Sequence, residues 1–424
     1  MLFPTILKGI SMDFVDTPEQ AQFRAEARAW LAEHAPHELH DVLKSVGYGD
    51  AILESPGMIA ASKAWQKKKQ AAGWACIHWP REHGGRSASP IEQVIWSEEE
   101  DVYGLLNKIV LTGQGICAPT LISWATEEQR RRFLPKLAAG DEIWCQLFSE
   151  PAAGSDLAGL VTRAERCGDG WVINGQKVWT SHLHYANYAI LLARTDSSVP
   201  KHEGLTMFFL ATDTPGLTHQ PIKQITGQSG FNEVFLTDVY VPDSQRMGAV
   251  GQGWKVALTT LMNERLTVGN GLMPTGFKEL FAYCCTTDHG NGKLVDEPWV
   301  RSRLATWAIR TSGLKHTASR SISALSKGHV PGPESSIGKL VAGTTMQEVA
   351  MFGIDLEGEA GAICGDQAPV EGRFQAMLMR SAGTRIEGGT DEVLRGIIAE
   401  RVLGLPPDVR ADKGIPFNKI PTGR

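Results

Sequence analysis

The chain has 424 residues, of which 42% are apolar and 21% charged, with a formal net charge of −5. This composition excludes a disordered chain, and it lacks the basic surface that binding to nucleic acid requires. No apolar run reaches the ~18 residues that predict a membrane span. The seven cysteines show no paired spacing, which argues against a disulfide framework or a zinc site. We therefore expect a multidomain cytoplasmic protein with reduced thiols and no structural metal.

The first part of the chain, residues 12–143, is predicted to form a helical domain. Thr17-Pro18-Glu19-Gln20 combines an N-cap, a proline at the first helical position and an acid in the first turn. Thr126 and Gln129 form a capping box before another helix, and Pro90 begins a third. The basic cluster Lys67–Lys69 is interpreted as a solvated helix face.

The second part, residues 144–247, carries the signals of strands and turns. In VINGQKVW, the Asn174-Gly175 pair lies between apolar runs, which predicts a β-hairpin at that pair. YAILLAR, LTMFFLAT and NEVFLTDVYVP are predicted to be further strands. We expect a middle β-domain here.

Helical patterns return in the third part, residues 248–406. The candidate helices are 253–287, 298–328, 333–354 and 390–403. The remaining tail, 407–424, is polar, and we expect it to pack poorly.

The segment FSEPAAGSDLAGL, residues 148–160, contains small residues that let the backbone approach a ligand closely. Ser149 and Ser155 add hydroxyl groups, although the segment could also be a tight loop that enters the β-domain. Further on, Trp179 stands beside Thr180 and Ser181 at a predicted strand end. That arrangement offers a flat heterocycle a stacking surface and hydrogen bonds, while the alternative is a core aromatic residue.

Near the C-terminus, Gly388 and Gly389 lead into Thr390, a favourable helix cap that is followed by Asp391 and Glu392. A glycine pair at this position permits close approach of a phosphate or carbonyl oxygen, or it simply forms a turn. A weaker glycine-rich piece, LEGEAG, lacks the strand and helix context of a dinucleotide-binding fingerprint.

The helix that begins near Gly253 places an adjacent acid and base, Glu264 and Arg265, toward an apolar stripe. The stripe consists of Trp254, Ala257, Leu258 and Leu261. A buried charge is unfavourable unless it is paired or used, so the pair is either a core ion pair or part of an active site.

In order, the motifs FSEPAAGSD, WVINGQKVWTS, FNEVFLTDVYVP, GQGW…NER and EGGTDEVLRGIIAERVLGLP resemble the acyl-CoA dehydrogenase family over residues 12–406. The resemblance implies an α+β multidomain fold with a helical N-terminal domain, a middle β-barrel-like domain and a C-terminal four-helix-bundle domain. FAD would lie between the last two domains, and the subunits of a homodimer, a homotetramer or a heteromer would share the cofactor site. The implied reaction is α,β-desaturation of an acyl-CoA thioester, with electrons passed to an electron-transfer flavoprotein.

The same resemblance assigns residues to the site. Contacts to the cofactor would come from Phe148, Ser149, Gly154, Ser155, Trp179, Ser181, Gly358, Gly389, Thr390 and Glu392. Contacts to the substrate would come from Ser155, Arg265 and Gly388.

Three departures from the family pattern matter. Gly388 stands where many members carry the catalytic glutamate, so Glu264 before Arg265 is the predicted base, with Glu387 in reserve. The Arg-x-x-Phe-Gly segment is replaced by residues 284–298, and the Gln-x-x-Gly-Gly-x-Gly pattern survives only as Asp355, Gly358 and Gly361. Bacterial members that act on bulky, cyclic or dicarboxylic acyl-CoAs, including heteromeric steroid-degrading ones, often depart in this way.

Two other functions remain open at this point. One is an acyl-CoA oxidase or flavin monooxygenase on the same fold, which would differ in how the reduced flavin is reoxidised. The other is a non-catalytic partner subunit of a heteromeric dehydrogenase, suggested by the glycine at the usual base position.

Overall fold

The computed structural model describes residues 16–46, 52–269, 275–326, 332–333, 335–365 and 367–421. Its first described part is helical, as predicted. The helices there are α1 (Pro18–His34), α2 (His40–Ser45), α3 (Pro56–Ala71), α4 (Pro90–Glu100), α5 (Ala118–Trp124) and α6 (Glu127–Ala139).

Reciprocal capping explains where several of these helices begin. Thr17 and Gln20 form a capping box at α1, and Thr126 and Gln129 form one at α6, so both predicted starts are confirmed. At α4, Ser89 is the capping residue and Pro90 occupies the first turn, where its missing N–H is not needed.

The interpretation of Lys67–Lys69 as a solvated face is wrong for Lys69, which is 3% exposed. Its ammonium group donates to Glu100 Oε1 and to Asn107 Oδ1, both at 2.7 Å. Trp65 Nε1 and Asn107 Nδ2 donate to the same carboxylate at 3.0 Å each. The charge pair is therefore buried between α3 and α4 with its hydrogen bonds made.

The middle of the chain forms a curled β-sheet. The strand order is β6-β7-β3-β2-β4-β5-β8, and β1 pairs in parallel with β4. Strands from both arms of the sheet, including β3, β7, β4 and β5, contribute side chains to one apolar core, so the sheet curls around it in a barrel-like manner. The strands are β1 (Trp144–Leu147), β2 (Arg163–Cys167), β3 (Gly170–Ser181), β4 (Tyr188–Arg194), β5 (Leu205–Ala211), β6 (Leu217–Ile222), β7 (Phe231–Pro242) and β8 (Arg246–Met247).

The predicted hairpin at Asn174-Gly175 is wrong, because both residues lie inside the long strand β3. The turn of the β2–β3 hairpin is at Gly168-Asp169 instead. At Gly175 the register with β7 shifts, and a Cβ atom there would lie 2.3 Å from Thr162 Oγ1. The glycine therefore lies opposite a bulge in β7, where β7 has the extra residue, and it permits the close approach of Thr162.

The C-terminal part is helical again. Side chains from α8, α9, α10 and α11 share one core, which agrees with the expected four-helix arrangement. The elements are α7 (Gly253–Gly269), α8 (Phe277–Thr286), β9 (Asp288–His289), β10 (Gly292–Lys293), α9 (Pro298–Ser326), α10 (Ser335–Glu357), α11 (Arg373–Thr384) and α12 (Asp391–Ile397).

Two predictions in this part are wrong. The single helix expected over 253–287 is two helices, because Gly276 has a φ of +72° before α8 begins. A Cβ at Gly276 would also lie 2.2 Å from Met377 Sδ, so another residue there would combine a strained backbone with a displaced methionine side chain. The helix α11 was not predicted, although Phe374, Met377, Ser381 and Thr384 recur at helical spacing and are buried on one face.

The tail, expected to pack poorly, is docked on the middle domain in its described part. Phe417 N donates to Val199 O and Asn418 N donates to Ser197 O, both at 2.9 Å. Pro416 also forms a bridge with Pro200.

Among the described residues, no single helix has the length and hydropathy to cross a bilayer. One pair of helical segments, Pro90–Asn107 and Thr112–Trp124, meets that criterion only jointly, across a bend of 114°.

The buried Lys69–Glu100 pair gives a stability prediction. Lys69→Met should lower the free energy of unfolding by about 3–5 kcal/mol, because it leaves the Glu100 carboxylate buried without its counter-ion. Urea denaturation measures the change. The matched control is Lys293→Met in the exposed Lys293–Asp288 pair, which should cost far less. Equal losses in the two variants would contradict this account of the network.

Candidate functional site

The loop that follows β1 is held against strand β3. Phe148 is 4% exposed, and its carbonyl oxygen accepts a hydrogen bond from Lys177 Nζ at 2.9 Å. The next residue, Ser149, is half-buried, and its carbonyl accepts the N–H of Val178 at 2.9 Å. These contacts bring the predicted site residues Phe148 and Ser149 beside the end of β3 that carries Trp179 and Ser181.

A buried ion pair anchors this loop. Lys177 Nζ lies 2.9 Å from Glu150 Oε1, and the two side chains are 0% and 3% exposed. The same carboxylate accepts the backbone N–H groups of Val161 and Thr162, at 2.7 and 2.9 Å. Glu150 and Lys177 thus join both ends of the 148–162 segment to β3.

Electrostatics favour the charged form of Glu150. Burial alone would raise the pKa of its carboxyl group, but Lys177 and the hydrogen bonds from Thr162 and Val161 outweigh burial and lower that pKa. Burial lowers the pKa of the Lys177 ammonium group, and the attraction of Glu150 opposes that shift. The pair is stable because each charge has a partner where water is excluded.

Trp179 is exposed rather than part of the core. It is 58% exposed, its backbone φ is +60°, and its ring makes an edge contact with Phe231 at a centroid distance of 5.9 Å. A bulky residue with positive φ is strained, and such strain occurs most often at binding sites. Ser181 lies two residues on and is half-buried. An exposed aromatic face beside hydroxyl groups can stack against a flat ring system and hydrogen-bond to its edge.

Gly154 and Ser155 lie at the exposed bend of the loop. A Cβ atom at Gly154 would meet nothing within 4 Å, so no packing within the described chain requires this glycine. The space beside it is open for a ligand.

Glu264 lies on α7 and faces the strand that leads into the loop. It is half-buried, and Gln146 Nε2 donates to its Oε2 at 3.4 Å. Among the residues that the structure describes, none hydrogen-bonds to the buried Gln146 Oε1, so the amide has an acceptor available beside the carboxylate. The predicted apolar stripe on α7 is only partly correct, because Leu258 is 43% exposed. The side chain of Arg265 lies outside the described residues.

The C-terminal turn forms as expected from its glycines. Gly388 and Gly389 have φ values of +62° and +102°, and Thr390 Oγ1 accepts the N–H of Val393 at 3.2 Å, which caps α12. Lys339 Nζ on α10 donates to Gly389 O at 2.6 Å. Glu392 is exposed on the first turn of α12.

The reserve base, Glu387, forms an ion pair with a nearby residue of α11. Its Oε1 accepts a hydrogen bond from Arg380 on α11 at 2.5 Å. This ion pair connects the C-terminal turn to α11 and gives Glu387 a structural role.

Gly358 is not brought together with the other predicted site residues of this chain. It follows the C-terminal end of α10, whereas Lys339, which contacts Gly389, is near the beginning of that helix. About five helical turns separate the two points. Gly358 and Gly389 of one chain therefore lie far apart along α10.

The sequence analysis missed Glu150, Lys177 and Gln146. One signal was available, because Ile173, Gly175 and Lys177 alternate on the inward face of β3. A lysine on a buried face predicts a buried carboxylate partner.

Models of a known protein family match most of the chain. Three family models match the chain: acyl-CoA dehydrogenase N-terminal domain over residues 17–141, middle domain over 145–239 and C-terminal domain over 251–403. The chain is 36% identical to the acyl-CoA dehydrogenase IpdE1 of Mycobacterium tuberculosis, over 92% of this chain and 98% of that protein.

Solved structures give the same result. The structure named Tcur3481-Tcur3483 steroid ACAD matches with a TM-score of 0.77 and 28% identity, over 94% of this chain and 100% of that one. The ChsE4-ChsE5 complex from Mycobacterium tuberculosis matches with a TM-score of 0.76 and 29% identity, over the same shares.

The Glu150–Lys177 pair can be tested by a double-mutant cycle. Lys177→Met should lower the free energy of unfolding by about 3–5 kcal/mol, because an unpaired carboxylate remains buried. Adding Glu150→Gln should recover part of that loss. Arg131→Met, in the exposed helical pair Arg131–Glu127, is the control and should have little effect. If the double variant is no more stable than Lys177→Met, the two residues are not coupled as described.

Proposed function

Because the chain belongs to the acyl-CoA dehydrogenase family, we propose that it catalyses α,β-dehydrogenation of a bulky, ring-bearing acyl-CoA thioester with Glu264 as the base. The protein is an oxidoreductase, and its cofactor is FAD. The main support for the proposal is the contact between Glu264 and Gln146. Gln146 is in β1, two residues before Phe148, so the contact brings Glu264 to the strand that leads into the loop.

The residues of the middle domain fit this cofactor. In the proposal, Trp179 covers the flavin, and Phe148, Ser149 and Ser181 line the same corner, with Gly154 and Ser155 at the open bend beside it. FAD, when bound, accepts the hydride from the β-carbon of the acyl group. The Glu150–Lys177 pair keeps the loop in place without contacting the cofactor.

Glu264 is better placed than Glu387 to remove the α-proton. Glu264 faces β1, whereas Glu387 is held by Arg380 on α11. A base for a weakly acidic α-proton needs a high proton affinity, which desolvation by a bound thioester would provide. Arg265, the next residue, would oppose that rise in pKa and is proposed to contact the substrate, together with Ser155 and Gly388.

The bulky substrate class is supported by the similarity to the steroid ACAD structure, at 28% identity over 94% of this chain. Gly388 at the usual base position supports the same class, because bacterial members that act on bulky or cyclic acyl-CoAs often depart from the family pattern in this way.

A second candidate function is a partner subunit of a heteromeric acyl-CoA dehydrogenase. One observation supports it, the separation of Gly358 from Gly389 along α10. If another subunit completes the cofactor site, that subunit can be a different chain. The similar ChsE4-ChsE5 structure is a complex of two proteins. The chain would then require a partner subunit to bind FAD. Purified chain without flavin absorbance, restored by co-expression of a partner, would support this candidate.

The base assignment predicts opposite outcomes for two variants. Glu264→Gln should retain FAD and slow flavin reduction by an acyl-CoA by about 10²–10⁴-fold, because it removes the general base. Glu387→Gln, the matched control, should reduce flavin at close to the wild-type rate. Anaerobic stopped-flow absorbance measures both rates. A fast Glu264→Gln variant with a slow Glu387→Gln variant would reverse the assignment.

The reaction class predicts the fate of the reduced flavin. We expect anaerobic bleaching by ring-bearing acyl-CoAs to exceed that by short linear ones, followed by reoxidation with an electron-transfer flavoprotein. Reaction of the reduced enzyme with O₂ should be slow by comparison. Rapid reoxidation by O₂ with release of peroxide would identify an oxidase and contradict the dehydrogenase proposal.

A further inference from the structure

We infer that the C-terminal tail completes the substrate side of the site, with Asp412 and Phe417 as positioning residues for the Gly154–Ser155 bend. The tail lies beyond residue 403, where the family match ends. The inference rests on the proposed function for the role of the bend, but the contacts between tail and loop stand on the geometry alone.

The first connection runs through Lys201. Its side chain is only 7% exposed, and its Nζ lies 2.8 Å from both carboxylate oxygens of Asp156. Asp412 of the tail contacts the same ammonium group. Asp156 directly follows Ser155 and is itself 61% exposed, so Lys201 is the contact that fixes its side chain. Asp412 in turn helps to fix Lys201.

The second connection runs through Arg194. This side chain is buried and donates to Leu160 O at 3.0 Å and to Ala158 O at 2.6 Å, which fixes the far end of the loop. It also donates to Lys201 O at 3.1 Å, so the two cations are linked. The Phe417 ring covers the guanidinium group, with Cζ 3.5 Å from the ring centroid.

The charges at these contacts are balanced. Hydrogen bonding to Lys201 lowers the pKa of Asp412, and Arg410 lies 3.5 Å from the same carboxylate. Burial lowers the pKa of Arg194 to about 10, so the guanidinium remains charged at neutral pH. The tail therefore supplies a counter-charge to one cation and a stacking surface to the other.

The tail is attached at two points rather than along its length. One point is Asp412, and the other is the backbone pairing of Phe417 and Asn418 with Val199 and Ser197. A cavity of about 480 Å³ lies beside the first point, lined by residues 200–202 and by residues 407–410 and 412–414 of the tail. An attachment of this kind depends on its two contacts, so single substitutions should release it.

The experiment uses the full-length holoenzyme. Asp412→Asn and Phe417→Ala should raise the KM for acyl-CoA by about tenfold with kcat nearly unchanged, because a displaced loop weakens positioning of the substrate. Asp412→Glu should restore much of the affinity. Asp408→Asn, a charge change in the same tail, is the control and should behave as wild type.

Hydrogen exchange at residues 151–160, measured without substrate, gives a readout that does not depend on the reaction. Faster exchange in Asp412→Asn and Phe417→Ala, but not in Asp408→Asn, is expected. Exchange and KM at wild-type values in both variants would overturn the inference. If no acyl-CoA reduces the flavin, the proposed function fails, whereas the exchange measurement still decides whether the tail holds the loop.

Discussion

The buried ion pair between Glu150 and Lys177 is the contact on which the site depends. Lys177 belongs to the strand that ends in Trp179, and Glu150 belongs to the loop that carries Ser149 and Ser155. A charge pair with almost no exposure is stable only when both partners and their hydrogen bonds are in place. It therefore defines the position of the loop more strictly than an apolar contact of the same size would.

Two further buried cations extend this arrangement. Arg194 fixes the end of the loop through backbone carbonyl groups, and Lys201 holds Asp156 beside its exposed bend. The tail then covers both cations. The loop is thus fixed at its beginning, middle and end by side chains from β3, from β4 and from the segment after β4, and its exposed bend is left facing the open space beside Gly154.

Local signals in the sequence predicted much of the fold. Capping boxes such as Thr17–Gln20 correctly marked helix starts, and the change from helical to strand patterns marked the middle domain. The Asn174-Gly175 prediction was wrong because the same dipeptide suits a hairpin turn and a close approach inside a strand, and the contact with Thr162 exists only in the folded chain. The docking of the tail was not predictable either, since Asp412 and Phe417 find their partners some two hundred residues away in the chain. For the site, the ordered motifs gave candidate residues such as Ser155 and Trp179, but the pairing of Glu150 with Lys177 followed only from the folded structure.

In the proposed mechanism, Glu264 on α7, and no residue of the C-terminal turn, faces the reacting carbon. The most direct test is an experimental structure of the holoenzyme with an unreactive acyl-CoA analogue. We predict that the Glu264 carboxylate lies within about 3.5 Å of the α-carbon position, on the side opposite the flavin, with Trp179 against the flavin. A structure in which Glu387 approaches the α-carbon and Glu264 points away would contradict the account.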